Sequence, residues 1–192
     1  MIFEAHITVD SKDVEAWQEF CREEMIKPLY IRLTRGSHPD QLMCSVPFSA
    51  DLEATKQRVS MLEAKIRNAG FLILRSKLEC QLAHSALIQT PAYYEYHMKL
   101  TLDEAGVTDL LPVAKKLSVG VSTNLLAMNG KWERWYLTGR DYTKNMGIAS
   151  DEFRRLRRQV EQYFSVEGMD MECVIFDTNP GLDEGWIDVP VQ

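Results

Sequence analysis

Two stretches place a glutamate and a histidine on alternating positions: FEAHITVD at residues 3–10 and YEYHMKLTLD at 94–103. If both are extended, Glu4, His6 and Thr8 share one side of the first, and Glu95, His97 and Lys99 one side of the second, because side chains alternate along a strand. Two histidines offered from equivalent places suit acid–base work, one accepting a proton while the other donates. Thr8 would hold an anion through its hydroxyl and Lys99 as a point charge. His6 and His97 are therefore the candidate catalytic pair.

The elements that must position these residues also occur twice. In the first half, residues 13–25 carry Val14, Trp17, Cys21 and Met25 on one helical stripe, and LYIRL (29–33) and QLMCSV (41–46) follow as strands around the turn-rich GSHPD. Ser49 is the expected cap of a second helix bearing Leu52, Val59, Leu62 and Ile66, Gly70 its C-terminal stop, and FLILRSKLEC the last strand. In the second half, YEYHMKL precedes a helix over 108–117. SVGVSTN and KWERWYLTGR form a hairpin about Asn129-Gly130, Ser150 is the expected cap of a helix carrying Phe153, Leu156, Val160 and Phe164, and MDMECVIFD ends the pattern. His6 and His97 lie 91 positions apart and Gly70 and Gly168 98 apart, so the second copy is expected to gain about seven residues.

Each half thus reads βαββαβ, the ferredoxin-like order with both helices on one face of an antiparallel sheet. The expected fold class is α+β, a tandem duplication of ferredoxin-like units with antiparallel sheets. The first repeat is 1–82, a connector containing Pro91 is 83–92, the second repeat is 93–179, and 180–192 is a C-terminal tail packed on the body. Alternation sorts the strands by face. Ile31 and Leu33 are assigned to the helices, which turns Arg32 outward, and Leu42 and Cys44 likewise turn Gln41, Met43 and Ser45 outward. Ser122 shares a face with Asn124, and Arg134 with Tyr136, Thr138 and Arg140. The fourth strand is ambiguous, with Arg75, Lys77 and Glu79 in phase and Asp177 aligned with Glu79. The candidate ligand-binding set is Glu4, Thr8, Arg32, Glu79, Glu95, Lys99, Asn124, Thr138 and Arg140, lining a polar cleft between two lobes.

A net charge of −6 argues against general nucleic-acid binding, which needs a basic surface. No apolar run reaches the ~20 residues that span a membrane, and Met1-Ile2-Phe3-Glu4 lacks the basic start of a secretory leader. Cys21, Cys44, Cys80 and Cys173 have no CxxC spacing and read as reduced thiols, so a cytoplasmic protein is expected. Arg154, Arg155, Arg157 and Arg158 read as a solvated helix face.

HITV at 6–9 resembles the His-x-Thr/Ser-x signature of the 2H phosphoesterases, bilobal enzymes that act on cyclic phosphates and related RNA ends. HMKL in the second half puts Lys99 where that signature has its hydroxyl. Glu95, His97 and Lys99 also resemble the Glu-x-Glu-x-Lys strand of the triphosphate tunnel proteins at two of three positions, with a histidine where an oxygen ligand would serve magnesium. These resemblances imply binding, and in an enzyme hydrolysis, of a small anionic phosphoester or nucleotide-like ligand. One alternative is a non-catalytic binding or scaffold module. The other is a metal-dependent enzyme using a mixed carboxylate–imidazole site. HxH and HExxH spacings are absent and Lys99 and Arg140 would repel a cation, so no metal ligands are assigned and the cofactor is left open. Edge strands leave oligomerisation open.

Overall fold

A computed structural model of the chain describes residues 2–128, 130 and 132–187. Asn129, in the expected hairpin turn, lies outside the described residues. The first half runs β1 (Ile2–Asp10), α1 (Val14–Glu23), β2 (Lys27–Leu33), β3 (Asp40–Ser49), α2 (Leu52–Asn68) and β4 (Leu72–Gln81). The second runs β5 (Tyr93–Leu102), α3 (Glu104–Lys116), β6 (Gly120–Asn124), β7 (Glu133–Asp141), α4 (Met146–Val160) and β8 (Gly168–Asp177). The architecture is α+β with antiparallel strand pairing throughout.

Each helix begins at an Asp or Asn whose side chain accepts from the free N–H groups of the first turn: Asp13, Asp51, Asp103 and Asn145. This corrects the expected caps. Ser49 is the last residue of β3, Ser150 lies inside α4, and α3 starts at Glu104 rather than 108. Gly70, at φ 89°, takes the left-handed position that ends α2.

Within the first half the strand order is β4-β1-β3-β2, and within the second β8-β5-β7-β6, the same arrangement. The outer strands of the two halves then join. β2 pairs with β6 from Ile31↔Asn124 to Leu33↔Ser122, and β4 with β8 from Lys77↔Asp177 to Gln81↔Glu172. The result is one closed eight-stranded barrel rather than two sheets facing across a cleft. The helices cover its outside. One apolar core packs α1 and α2 through Trp17, Val59 and Ile66 against Phe3, Ala5 and Ile7, and the other packs α3 and α4 through Leu110 and Leu156 against Met98 and Leu100. With the apolar faces turned outward to the helices, the inner wall receives the polar residues. Among the described residues, no helix is long and apolar enough to cross a membrane.

The strand register corrects the alignment of the halves. Glu4 faces Glu79 and His6 faces Lys77, while Glu95 faces Glu172 and His97 faces Asp170. The counterpart of Glu79 is therefore Glu172, not Asp177. Gly168 opens β8 while Gly70 caps a helix, so those two glycines are not equivalent. The register of β4 against β8 shifts between Leu78↔Phe176 and Glu79↔Val174, which skips Ile175. This bulge lets Glu172 and Asp177 both reach the inner wall from positions of opposite parity.

Candidate functional site

The barrel encloses a cavity of about 300 Å³ whose walls differ in character. Leu29, Ile31 and Leu33 of β2, Met43 of β3 and Tyr136 of β7 form an apolar side. The facing side, from β1, β4, β5 and β8, carries Glu4, His6, Lys77, Glu79, Glu95, His97, Asp170 and Glu172. Side-chain exposure rises from 2% at Glu79, Glu95 and Arg140 to 35% at Lys99 and 42% at Asp170, so the cavity opens at the end bearing Lys99 and Asp170. The other end is closed by the chain after β8. Trp186 donates from Nε1 to the Val121 carbonyl (2.9 Å) and packs with Leu33 and Ile187.

Burying charge in such a space requires partners, and the cations and carboxylates alternate along a continuous chain. His6 Nε2 donates to Glu79 Oε1 (2.9 Å), and Lys77 Nζ lies 2.7 Å from Glu79 Oε2 and 2.5 Å from Glu95 Oε2. Arg140 bridges Glu95 Oε1 (2.7 Å) and Asp183 Oδ2 (2.6 Å). Arg75 donates to the same Asp183 oxygen (2.7 Å) and bidentately to Asp177 (2.9 and 2.6 Å), where Tyr93 also donates (2.6 Å). Burial opposes ionisation of Glu79 and Glu95, but the neighbouring Lys77, with His6 at Glu79 and Arg140 at Glu95, holds both well below the usual carboxylate range. Burial likewise opposes the charges of Arg75, Lys77 and Arg140, and their carboxylates outweigh it and raise all three.

His97 lies at the open end of this chain. Its Nδ1 is 2.8 Å from Thr138 Oγ1, and its Nε2 is 3.4 Å from both Glu95 Oε2 and Glu172 Oε2. Burial disfavours a charged ring, yet Glu172 and Glu95 lift the imidazole to about 10. Glu172 is itself raised, first by burial and then by Glu79. His97 Nε2 therefore sits where a positive charge is wanted.

Of the residues singled out from the sequence, Glu4, His6, Thr8, Glu79, Glu95, His97, Lys99, Asn124, Thr138 and Arg140 line this one cavity. Thr8 is nearly fully buried, and Lys99 is paired with Asp170 at 2.5 Å. Arg32 is a correction. It points away from the barrel, half exposed, and pairs with Asp40 at 2.8 Å. Both faces of β2 are largely apolar, so alternation misassigned its sides: Tyr30 packs on the outer core, and Ile31 and Leu33 face inward. Lys77 and Arg75 belong to the site although only their phase was noted. Glu172 and Asp170 were missed, and Asp183 stood outside the candidate ligand-binding set. Asp170 and Glu172 alternate with Met169, Met171 and Cys173 in β8, a signal present in the sequence, whereas nothing local marks Asp183.

The resemblance to the 2H phosphoesterases does not hold. No family model matches the chain, and neither does any curated protein. The solved structures that match carry other descriptions. They include a mutant chlorite dismutase from Candidatus Nitrospira defluvii in complex with cyanide, 10% identical over 90% of this chain and 90% of that one, at TM-score 0.30. An anthrone oxidase-like protein is 9% identical over 92% and 91%, also at 0.30. An unknown protein from Galdieria sulphuraria is 13% identical over 91% and 98%, at 0.27. Within the site, His6 is engaged by Glu79, and Lys99, in the slot of the second hydroxyl, is engaged by Asp170. Likenesses this slight assign the chain to no family.

Proposed function

We propose that the barrel binds one small amphipathic organic molecule, its hydrogen-bonding end against Glu95, His97 and Glu172 and its hydrocarbon or aromatic end against Leu29, Ile31 and Met43. The observation that carries this reading is the two-sided cavity, closed at one end and open at the other. A neutral or weakly charged ligand suits it better than a phosphoester. Arg75, Lys77 and Arg140 each already contact two carboxylates, so an anion would have to displace one. The matching strand order of the halves supports a tandem duplication of a ferredoxin-like unit over residues 1–82 and 93–179, and the four buried free thiols suit a reducing compartment such as the cytoplasm.

A thermal-shift screen tests the ligand class by setting neutral phenols, amides and alcohols against nucleotides, cyclic phosphates and inorganic phosphate. Neutral amphiphiles should raise the melting temperature of the parent protein and leave Ser122→Phe, which fills the cavity from β6, unmoved. Stabilisation by phosphates alone, or equal shifts in both proteins, would sink this reading.

A further inference from the structure

We infer that Glu95, His97 and Glu172 form a binding site for one first-row divalent cation of the zinc or manganese type, with an open coordination position facing the cavity. This goes beyond the ligand-binding reading and stands without it. One donor atom from each residue lies within 4.8 Å of the other two. The decisive distances are the 3.4 Å separations from His97 Nε2 to Glu95 Oε2 and Glu172 Oε2. They are long for charge-assisted hydrogen bonds, which close to about 2.7–2.9 Å. They match the ~3.4 Å edge between two ligands that each stand about 2.1 Å from a tetrahedral metal.

Three further features point the same way. Thr138 Oγ1, at 2.8 Å from Nδ1, fixes the ring so that Nε2 faces the two carboxylates, the outer-shell contact that metal-bound imidazoles use. Glu172 Oε2 is buried and meets only His97 Nε2, at 3.4 Å, longer than the contact a buried carboxylate oxygen makes with a cation that satisfies it. Charge is also unbalanced along the chain of contacts. With His97 neutral, as a metal-ligating imidazole must be, Glu79, Glu95, Glu172, Asp177 and Asp183 face the permanent cations Arg75, Lys77 and Arg140, leaving two negative charges in excess among the described residues. One divalent ion supplies that charge.

Lys77 Nζ also touches Glu95 Oε2, so this oxygen is shared between an ammonium and the metal, as the several lone-pair sites of a carboxylate allow. An imidazole among the ligands selects a transition ion over magnesium or calcium. Three protein ligands leave a fourth position for water or for an oxygen of the bound molecule, the arrangement of catalytic rather than structural sites.

The test is calorimetric titration of the chelator-treated full chain with ZnCl2 and, separately, MnCl2, with retained metal measured by elemental analysis after dialysis. The expected result is about one equivalent bound. Glu172→Gln and His97→Asn should each weaken binding by roughly 100-fold, Thr138→Val by about tenfold, with circular dichroism confirming that each variant folds. Lys77→Met, which removes the competing ammonium, should tighten it. Absence of stoichiometric binding, or binding that Glu172→Gln leaves unchanged, overturns the site. Metal binding alongside a blank ligand screen would remove only the proposal about the organic molecule, and a positive screen without metal would remove only this one.

Discussion

Replacing Asp183 with alanine probes the network at the point where the C-terminal segment enters the barrel. Its carboxylate accepts from Arg75 Nη1 at 2.7 Å, Arg140 Nη2 at 2.6 Å and Gln41 Nε2 at 2.9 Å, and its side chain is 2% exposed. Removing one member of a buried ion network costs about 3–5 kcal/mol, because the remaining charges stay buried with less compensation. Here Arg75 keeps Asp177 and Arg140 keeps Glu95, which places the expected loss at the lower end, about 3 kcal/mol. For a chain of this size each kcal/mol lowers the melting temperature by ~2–4 °C, so Asp183→Ala should melt about 6–12 °C below the parent. Urea unfolding followed by circular dichroism gives the free energy directly, with the slope unchanged if the native fold is kept. Sodium formate, which returns a carboxylate to the vacated space, should recover part of the loss where sodium chloride at equal ionic strength does not. A loss below about 1 kcal/mol, the range of solvated surface pairs, would refute the picture of a desolvated network.

The same residue should shape the acid limb of stability. Burial opposes the charge on Asp183, but Arg75 and Arg140 outweigh it and hold the carboxyl below its ordinary value. A depressed folded-state pKa gives a contribution that is complete above the unfolded value of about 3.9 and vanishes as pH falls through the folded one. Urea titrations below about pH 4 should therefore show a shallower loss for Asp183→Asn than for the parent. At Gly120, a Cβ would stand 2.3 Å from Trp186 Cε2 and 2.6 Å from its Nε1. Gly120→Ala should cost about 1–3 kcal/mol and shift the Trp186 emission to the red, with Trp186→Phe as the spectral control. Unchanged emission would show that the indole is not seated against β6. Burial, joined at Cys21 by the neighbouring Cys44, pushes the thiols of Cys21 and Cys44 up to about 12. Both should resist alkylation at pH 8 in the folded protein and react in urea, and rapid labelling under native conditions would contradict their burial.

Much of the inner wall was legible because each half-sheet presents one face to helices. That requirement writes an alternation of apolar and polar residues into β1, β3, β5 and β7, and it places Glu4, His6, Glu95, His97, Thr138 and Arg140 on a common side from local pattern alone. Alternation fails where both faces are apolar, as in β2, since nothing local says which apolar row meets the helices and which meets the cavity. It fails again in β8, where the bulge at Ile175 reverses the parity between Glu172 and Asp177.

The two helix–strand patterns, their order and the inward side of most strands thus follow from the residues in sequence, because periodicity is a short-range property of the chain. Closure into a single barrel does not, because β2 on β6 and β4 on β8 are edges that could equally have been left free or joined to other partners. Nor does the choice of ion pairs. Arg75 meets Asp183 across 108 positions, and Lys77 stands between Glu79 and Glu95 rather than beside an anionic ligand. Those pairings are set by strand register around the closed sheet, and they turn a row of promising side chains into a charge-paired wall with one histidine facing two carboxylates at the distance a metal ion would bridge.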